Sequence, residues 1–361
     1  MNFASDNGSG AAPAILEALV AANPGGAPAY GADSFTQRAE AALSAIFERP
    51  VASFLVSTGT AANSLALGAL APPWSAIFCH DEAHIHDDEC GAPELFTAGA
   101  KLVGIAGEAG KITPAALRET LARFPRGLVK SVQPGALSLS QATEAGAIYT
   151  TDEIAALSAI AHDAGLAVHM DGARFANALV ALGCSAARMS WAAGVDALSF
   201  GATKNGAIGC EAVVFFNPEQ AANFAFQRKR GGHTLSKGRF LGAQMAAYLD
   251  GDLWLTLARR ANRAADRLAH GLSAIPGLRL AWPRQVNQVF PIAPRSLVAA
   301  LRAEGVGFYE WSSRAVPPAL APREDEAFLR LVCSFETSDS EIDRFLAIVS
   351  GHCASAPAAG R

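Results

Sequence analysis

The sequence predicts an α/β protein: a large, mostly parallel sheet sandwiched by helices, followed by a smaller α+β C-terminal domain. Three observations lead there. From about residue 31 to 245, strand-like apolar runs alternate with helix-like segments, as in a parallel sheet with crossover helices. After about Leu249 the texture changes to one long helix rich in Ala, Arg and Leu, then shorter mixed segments. Hydrophobic residues make up 51% of the chain and charged residues 17%, which supplies a large buried core. These shifts divide the 361 residues into an N-terminal arm over 1–30, a large domain over 31–248 and a small domain over 249–361.

The arm is rich in Gly, Ala and Pro, with one short helix expected at Pro13–Ala22. Val51–Val56 reads as a strand, a Gly-Thr turn follows, and Ala61–Leu70 reads as a helix. Ala76–Cys79 and Leu102–Ile105 read as short strands, and Pro114–Phe124 as helical. Thr151-Asp152-Glu153 starts a helix whose Ile154, Leu157 and Ile160 keep the helical period, and Gly165 ends it. Leu166–Met170, Ala197–Phe200 and Ala212–Phe216 read as further strands. The small domain reads as a helix at Leu253–Leu272, strands at Leu278–Trp282 and Gln288–Ile292, a helix near Leu297–Glu304, a strand at Leu329–Ser334 and a last helix at Asp339–Val349. Residues 354–361 read as a frayed tail.

A net charge of −4 and a pI near 6.1 argue against a nucleic-acid partner. The densest basic run, Gln227-Arg228-Lys229-Arg230, is short enough to be a solvated helix face. The first residues lack the basic and apolar regions of a signal peptide. The longest uncharged stretch, Val51 to Cys79, is broken by Thr58-Gly59-Thr60, Asn63 and Pro72-Pro73, so no membrane partner is expected. Six cysteines without a CxxC pair fit reduced thiols in a cytoplasmic protein.

Two short stretches carry the chemistry. Ala167-Val168-His169-Met170-Asp171-Gly172-Ala173-Arg174 and Ala197-Leu198-Ser199-Phe200-Gly201-Ala202-Thr203-Lys204 each run from an apolar strand into small, turn-forming residues. They present a carboxylate, Asp171, and an amine, Lys204, at strand ends. Pyridoxal phosphate enzymes need this pair: a Lys to hold the cofactor as a Schiff base, and an acid to keep the pyridine nitrogen protonated. Asp171 could also cap a helix beginning near Phe175-Ala176-Asn177, a compatible role. Thr58-Gly59-Thr60-Ala61-Ala62-Asn63 follows a strand and opens a helix, where free N–H groups favour an anion such as the cofactor phosphate. The stretch from Cys79 to Cys90 holds many ligand-type side chains, but its spacing fits no standard zinc pattern and no metal is expected.

Together these motifs resemble the low-specificity threonine aldolases of the β-eliminating lyase group, which have the PLP-dependent transferase (aspartate aminotransferase-like, type I) fold. The resemblance runs from Ser5-Asp6-Asn7 to Leu331-Val332-Cys333-Ser334-Phe335, and phenylserine aldolases of the same group are similarly close. It implies pyridoxal 5'-phosphate bound through Lys204, with Asp171 on the pyridine nitrogen and Thr58, Gly59 and Thr60 at the phosphate. It places Arg174 near cofactor and substrate carboxylate, where a guanidinium fork suits a carboxylate. His84 aligns with the histidine stacked on the ring, and Glu89 with an acid nearby; His80 and His86 receive no role. Ser5 and Arg330 align with substrate-carboxylate contacts, and Tyr30 with a tyrosine at the active-site mouth. A basic residue from the neighbouring subunit completes the phosphate cup, here Arg239 with Lys237 as the alternative.

One departure stands out. Many threonine aldolases carry a second active-site histidine after a mid-domain strand, whereas the stretch assigned to that place reads Ser131-Val132-Gln133-Pro134-Gly135-Ala136. Gln133 becomes a candidate hydrogen-bond partner for the substrate hydroxyl, and His84, or a water it orders, the candidate proton acceptor. The resemblance implies cleavage of L-β-hydroxy-α-amino acids (threonine, allo-threonine, phenylserine) to glycine and an aldehyde, in a homodimer or homotetramer with active sites between subunits. β-Elimination or transamination by the same cofactor is the alternative within enzymes. A metal-dependent protein built around His84, or a non-catalytic cofactor-binding scaffold, is the alternative outside them. Trp311 reads first as packing and second as the wall of an aromatic substrate pocket.

Overall fold

The apolar strands gather into one seven-stranded sheet in the computed structural model, which describes residues 1–314 and 316–355. Its strands are β1 (Ala52–Val56), β2 (Ser75–His80), β3 (Lys101–Ile105), β4 (Gln133–Ser140), β5 (Ala167–Gly172), β6 (Ala197–Gly201) and β7 (Glu211–Phe215), in the spatial order β1-β7-β6-β5-β4-β2-β3. The pairs β3–β2, β2–β4, β4–β5 and β5–β6 are parallel, and β7 runs antiparallel to both neighbours. Almost every residue of β2, β5, β6 and β7 is buried, which is why these segments read as continuous apolar runs.

Several elements go beyond those read from the sequence, among them helices at Phe224–Arg230 and Arg239–Leu249. A helix at Ser34–Ile46 is capped by Asp33, whose Oδ1 accepts the Thr36 N–H at 2.9 Å. Strand β4 starts with Gln133-Pro134-Gly135, residues that resemble a turn. A Cβ at Gly135 would lie 2.5 Å from the Ser75 side chain, so the glycine permits a close strand approach where the β2–β4 register shifts. The helix read from Thr151 does begin there, spanning Thr151–Asp163, and its cap is Thr150, which closes a reciprocal capping box with Glu153.

The helices that matter for the site are α1 (Pro13–Ala22), α2 (Ser34–Ile46), α3 (Gly59–Leu70), α4 (His84–Asp87), α5 (Phe175–Leu182), α6 (Arg239–Leu249), α7 (Leu253–Ser273) and α8 (Asp339–Ser355). Helix α8 thus carries the chain through Ser355, and the rest of the expected tail, 356–361, lies outside the described residues. The two hydrophobic clusters meet along α7 rather than at its start. Trp254, Leu257 and Ala258 belong to the core under the large sheet, whereas Ala264, Ala265, Leu268 and Leu272 pack with Leu329, Leu331 and Phe345 of the small domain. Asn177 and Asn262 exchange two hydrogen bonds, at 3.0 and 2.9 Å, and tie α5 to α7 at that junction. The small domain carries a five-stranded antiparallel sheet in which the longest strand, β8 (Glu326–Val332), holds Arg330. The N-terminal arm belongs to neither core exclusively: Ile15 packs under the large sheet and Phe3 in the small domain. No helix among the described residues is long and apolar enough to cross a membrane.

An aromatic cluster positions the two strands that carry the chemistry. Phe47 lies fully buried, with ring centroids 6.1 Å from Phe175, 6.1 Å from Phe200 and 5.1 Å from Phe216. Phe175 opens α5 just after Asp171, and Phe200 sits in β6 just before Lys204. Phe47→Ala is therefore expected to lower stability by about 3–5 kcal/mol through the cavity it leaves, read as a fall in the denaturant midpoint at unchanged slope.

Candidate active site

The site forms where the parallel strands end at their C-terminal edge, the usual place for a ligand in an open α/β sheet. Asp171 is next to last in β5, Lys204 follows β6, His84 follows β2, and two residues separate the start of α3 from β1. Together with Ser5, Gly59, Thr60, Asn63, Glu89, Glu144, Arg174, Trp311 and Arg330 they line one cavity of about 240 Å³. A larger cavity of about 480 Å³ lies between α1, α2 and α6, but its walls are mainly alanine and carry no comparable chemistry.

Charge dominates this cavity. Burial would raise the Asp171 carboxyl, but the positive charges of His84 and Lys204 outweigh it and hold the group below the ordinary aspartate value. Its Oδ2 accepts from Asn63 Nδ2 at 2.9 Å and its Oδ1 from the Ala173 N–H at 3.0 Å. The same Asn63 amide donates to Glu89 Oε1 at 2.8 Å, and that oxygen lies 2.9 Å from His84 Nδ1. A continuous Asp171–Asn63–Glu89–His84 chain therefore fixes the imidazole and the carboxylate relative to each other. The hydrogen bond to Glu89 raises the His84 pKa against the effect of burial, so the ring holds its proton more tightly than a free imidazole. Beneath Asp171, the buried His169 bridges Ser138 (2.9 Å) and Ser199 (3.0 Å) and cross-braces β4, β5 and β6. Burial pushes its pKa down to about 4, which keeps it neutral.

Lys204 is half-buried in the cavity wall. Burial first, and the Arg174 charge second, depress its pKa below the ordinary lysine value. Glu211 on β7 pins the loop before it, accepting the Ala202 N–H at 2.8 Å. Arg174 is buried and held in a two-point ion pair, Nε to Asp6 Oδ2 and Nη2 to Asp6 Oδ1, both at 2.8 Å. Asp6 also accepts from Asn287 Nδ2 at 3.0 Å, so the arm is anchored to both domains. One edge of the Arg174 guanidinium is thereby committed inside the protein. Arg330 stacks on Trp311, 4.0 Å above its ring, and burial lowers its pKa to about 10. Trp311 both packs and lines the cavity.

Four residues expected at the site sit elsewhere or act otherwise. Gln133 begins β4, at the opposite edge of the sheet, and its amide is engaged by Gly127, Leu128 and Ser131 within its own loop. The segment that reaches the cavity is the continuation of β4 beyond Ser140, which brings Ala142 and Glu144 to its wall. Thr58 does not line the cavity: its Oγ1 accepts the Ala61 N–H at 3.1 Å and caps α3. Tyr30 is half-exposed beneath the Lys229 ammonium, 5.0 Å from its ring, and lies outside its own chain's cavity. Arg239 likewise lies outside it, donating from Nη1 to the Gly25 carbonyl at 2.9 Å. By contrast Asn63 and Glu144 line the cavity and Asp6 holds Arg174 at its wall, although none of the three had an expected role. The signal for Asn63 and Asp6 was their place inside the Thr58–Asn63 and Ser5–Asn7 motifs.

The residues fit a ring with a basic nitrogen and an anionic arm. A deprotonated carboxylate and a half-buried amine share one cavity, and two buried polar atoms in its wall, Asn63 Oδ1 and Arg330 Nε, have no hydrogen-bond partner among the described residues. The first backbone bond of α3 is Ala62 N–H to Thr58 C=O, so the Gly59 and Thr60 N–H groups precede the helix ladder. A Cβ at Gly59 would meet nothing within 4 Å, which leaves room for an anion there. Among the described residues no group of three or more His, Cys, Asp and Glu side chains is placed to hold a metal ion.

A family model described as beta-eliminating lyase matches residues 2–293. The chain is 42% identical to a low specificity L-threonine aldolase of Pseudomonas aeruginosa, over 97% of this chain and 98% of that one. It is 39% identical to a low specificity L-threonine aldolase of a Pseudomonas species, over 94% of each chain. The fold is similar to that of the Leishmania major threonine aldolase, with a TM-score of 0.90, 29% identity and coverage of 98% of this chain and 99% of the other.

The Asp6–Arg174 pair yields a pH-dependent prediction. Burial opposes the Asp6 charge, yet Arg174 and Lys204 bring its pKa below the ordinary 3.8. The stabilisation is therefore complete above pH 3.8 and is lost as the pH falls through the lowered native value. Asp6→Asn leaves a buried guanidinium without its counter-charge and should cost about 3–5 kcal/mol near neutral pH. The urea midpoints of variant and wild type should converge on acidification well below pH 3.8.

Proposed function

The chain belongs to the beta-eliminating lyase family, and from that premise we propose that it is an aldehyde-lyase. It uses pyridoxal 5'-phosphate to cleave L-β-hydroxy-α-amino acids to glycine and an aldehyde. The observation that carries this reading is one cavity in which the Lys204 amine and the anionic Asp171 carboxylate stand together at the strand ends. When bound, the cofactor supplies an electron sink for the bond broken at the substrate's α-carbon.

The chain's own residues supply binding, orientation and charge. Lys204 holds the cofactor, Asp171 keeps its ring nitrogen protonated, and the Gly59 and Thr60 N–H groups take the phosphate. The imidazole of His84, fixed by Glu89, keeps the ring plane. Arg330, with its unpartnered buried Nε, grips the substrate carboxylate together with Ser5. Arg174 contributes positive charge from behind while Asp6 holds it in place. Holding the carboxylate turns the Cα–Cβ bond toward the sink, so that this bond breaks rather than Cα–H.

Three finer points belong to the same proposal. The half-buried aromatic wall of Trp311 accommodates phenylserine as well as threonine and allo-threonine. The chain works as a cytoplasmic homo-oligomer, a dimer or tetramer. In it a second copy brings Arg239 or Lys237 to the phosphate and Tyr30 to the mouth, since neither Arg239 nor Tyr30 lines its own cavity.

The test is a product assay over threonine, allo-threonine and phenylserine in all stereoisomers. Glycine with acetaldehyde or benzaldehyde is expected from the L-isomers. Ammonia and a keto acid without glycine would overturn the reading. Lys204→Ala should lose both the visible cofactor band after dialysis and turnover, whereas His84→Asn should keep the band and a measurable rate.

A further inference from the structure

Cleavage of a β-hydroxy amino acid needs an acceptor for the hydroxyl proton, and most candidates in the cavity are already engaged. Lys204 and Asp171 serve the cofactor. His84 has its Nδ1 engaged by Glu89 at 2.9 Å, and its imidazole serves to hold the cofactor ring. Glu89 is enclosed by Asn63, Ser64 and the imidazole. Asp88 is exposed to solvent.

Glu144 differs from all of these. It follows β4, opens onto the cavity and is otherwise enclosed by protein. Its Oε1 accepts the His84 backbone N–H at 3.0 Å and lies 3.5 Å from the Ser140 hydroxyl. These contacts fix the side chain without giving it a counter-ion: no salt bridge to Glu144 occurs among the described residues. Glu144, Asp88 and Trp311 also line an adjoining cavity of about 200 Å³ that reaches Arg314. A substituent extending from Lys204's cavity into that annex passes the Glu144 carboxyl.

On the aldolase reading, we propose that Glu144 is the catalytic residue that takes the β-hydroxyl proton during Cα–Cβ cleavage. The carboxylate receives the proton, and the O–H bonding pair becomes the second C–O bond of the aldehyde. The Cα–Cβ bond breaks with its pair on the glycine fragment, and a proton from solvent completes that carbon. In the reverse direction the same carboxylic acid protonates the carbonyl oxygen.

The surroundings tune this group. Burial, reinforced by Asp171, raises its pKa to about 7 against the hydrogen bond from His84 and the His84 charge. The other charged groups facing it are Lys204 after β6, Arg174 at the start of α5, Arg330 on β8 and Glu89 in the cavity, and Glu82, Asp87, Asp88 and Arg314 across the annex. A base must be ionised, so the rate falls as the pH drops through about 7.

Glu144→Gln tests the assignment in the holoenzyme, because the amide oxygen still accepts the His84 N–H while the base is gone. The expected result is a kcat lower by on the order of 10²–10⁴-fold with KM little changed, and loss of the acid limb. Glu144→Asp should recover part of the rate and keep that limb, as should His84→Asn. Infrared difference spectra of wild type minus Glu144→Gln should show a carboxyl band titrating with its midpoint near 7, whatever the turnover. A Glu144→Gln enzyme with unchanged kcat and acid limb, or a limb that disappears in His84→Asn instead, would overturn the proposal. Absence of glycine release by the wild type would sink the aldolase reading itself, a distinguishable failure.

Discussion

Positive charge confined in a low-dielectric cavity is the constraint on which the site depends. Lys204, Arg174 and Arg330 converge at the strand ends, and each resists burial in its charged form. The carboxylates compensate unequally. Asp6 binds Arg174 at two points, Asp171 stays anionic in the combined field of His84 and Lys204, and Glu144 has hydrogen bonds but no salt bridge among the described residues. The pairing of some acids and the isolation of one give similar side chains different proton affinities, the usual way one pocket obtains both a fixed charge and a proton acceptor.

The fold serves that balance through rigid supports. His169 bonded to two serines keeps three central strands in register, and the Phe47 cluster holds the elements that flank Asp171 and Lys204. Asp6 carries the arm across both domains, and α7 runs through both cores. Movement of the small domain would therefore act directly on Arg330 and Trp311, the parts of the wall facing the substrate, while the cofactor half stays with the sheet.

Proton transfer in this cavity does not depend on a histidine after β4, where none occurs between Gln141 and Thr150. Strand β4 emerges on the cavity side through Gln141-Ala142-Thr143-Glu144, and it is Glu144 that occupies the wall. The Gln133 assignment failed because Pro134-Gly135 resembles the end of a strand when it is a tight approach to β2 near the beginning of one. An error of one strand length moved the expected contact to the opposite edge of the sheet.

Local chemistry made much of this protein legible in its sequence. Continuous apolar runs marked the buried strands, because both faces of that sheet are covered. Asp171 and Lys204 stood out because charged side chains are rare at the ends of such runs. Alternation of elements gave the α/β class, since parallel neighbours need a crossover between them. Tertiary structure alone decided the rest: that Thr58 spends its hydroxyl on a cap, that Asn63 links two carboxylates, that Asp6 neutralises Arg174 from 168 residues away, and that Glu144 stands in the cavity wall with no salt bridge among the described residues. Proton affinity and partnership depend on distance and burial in three dimensions, and neither is a property of a residue's place along the chain.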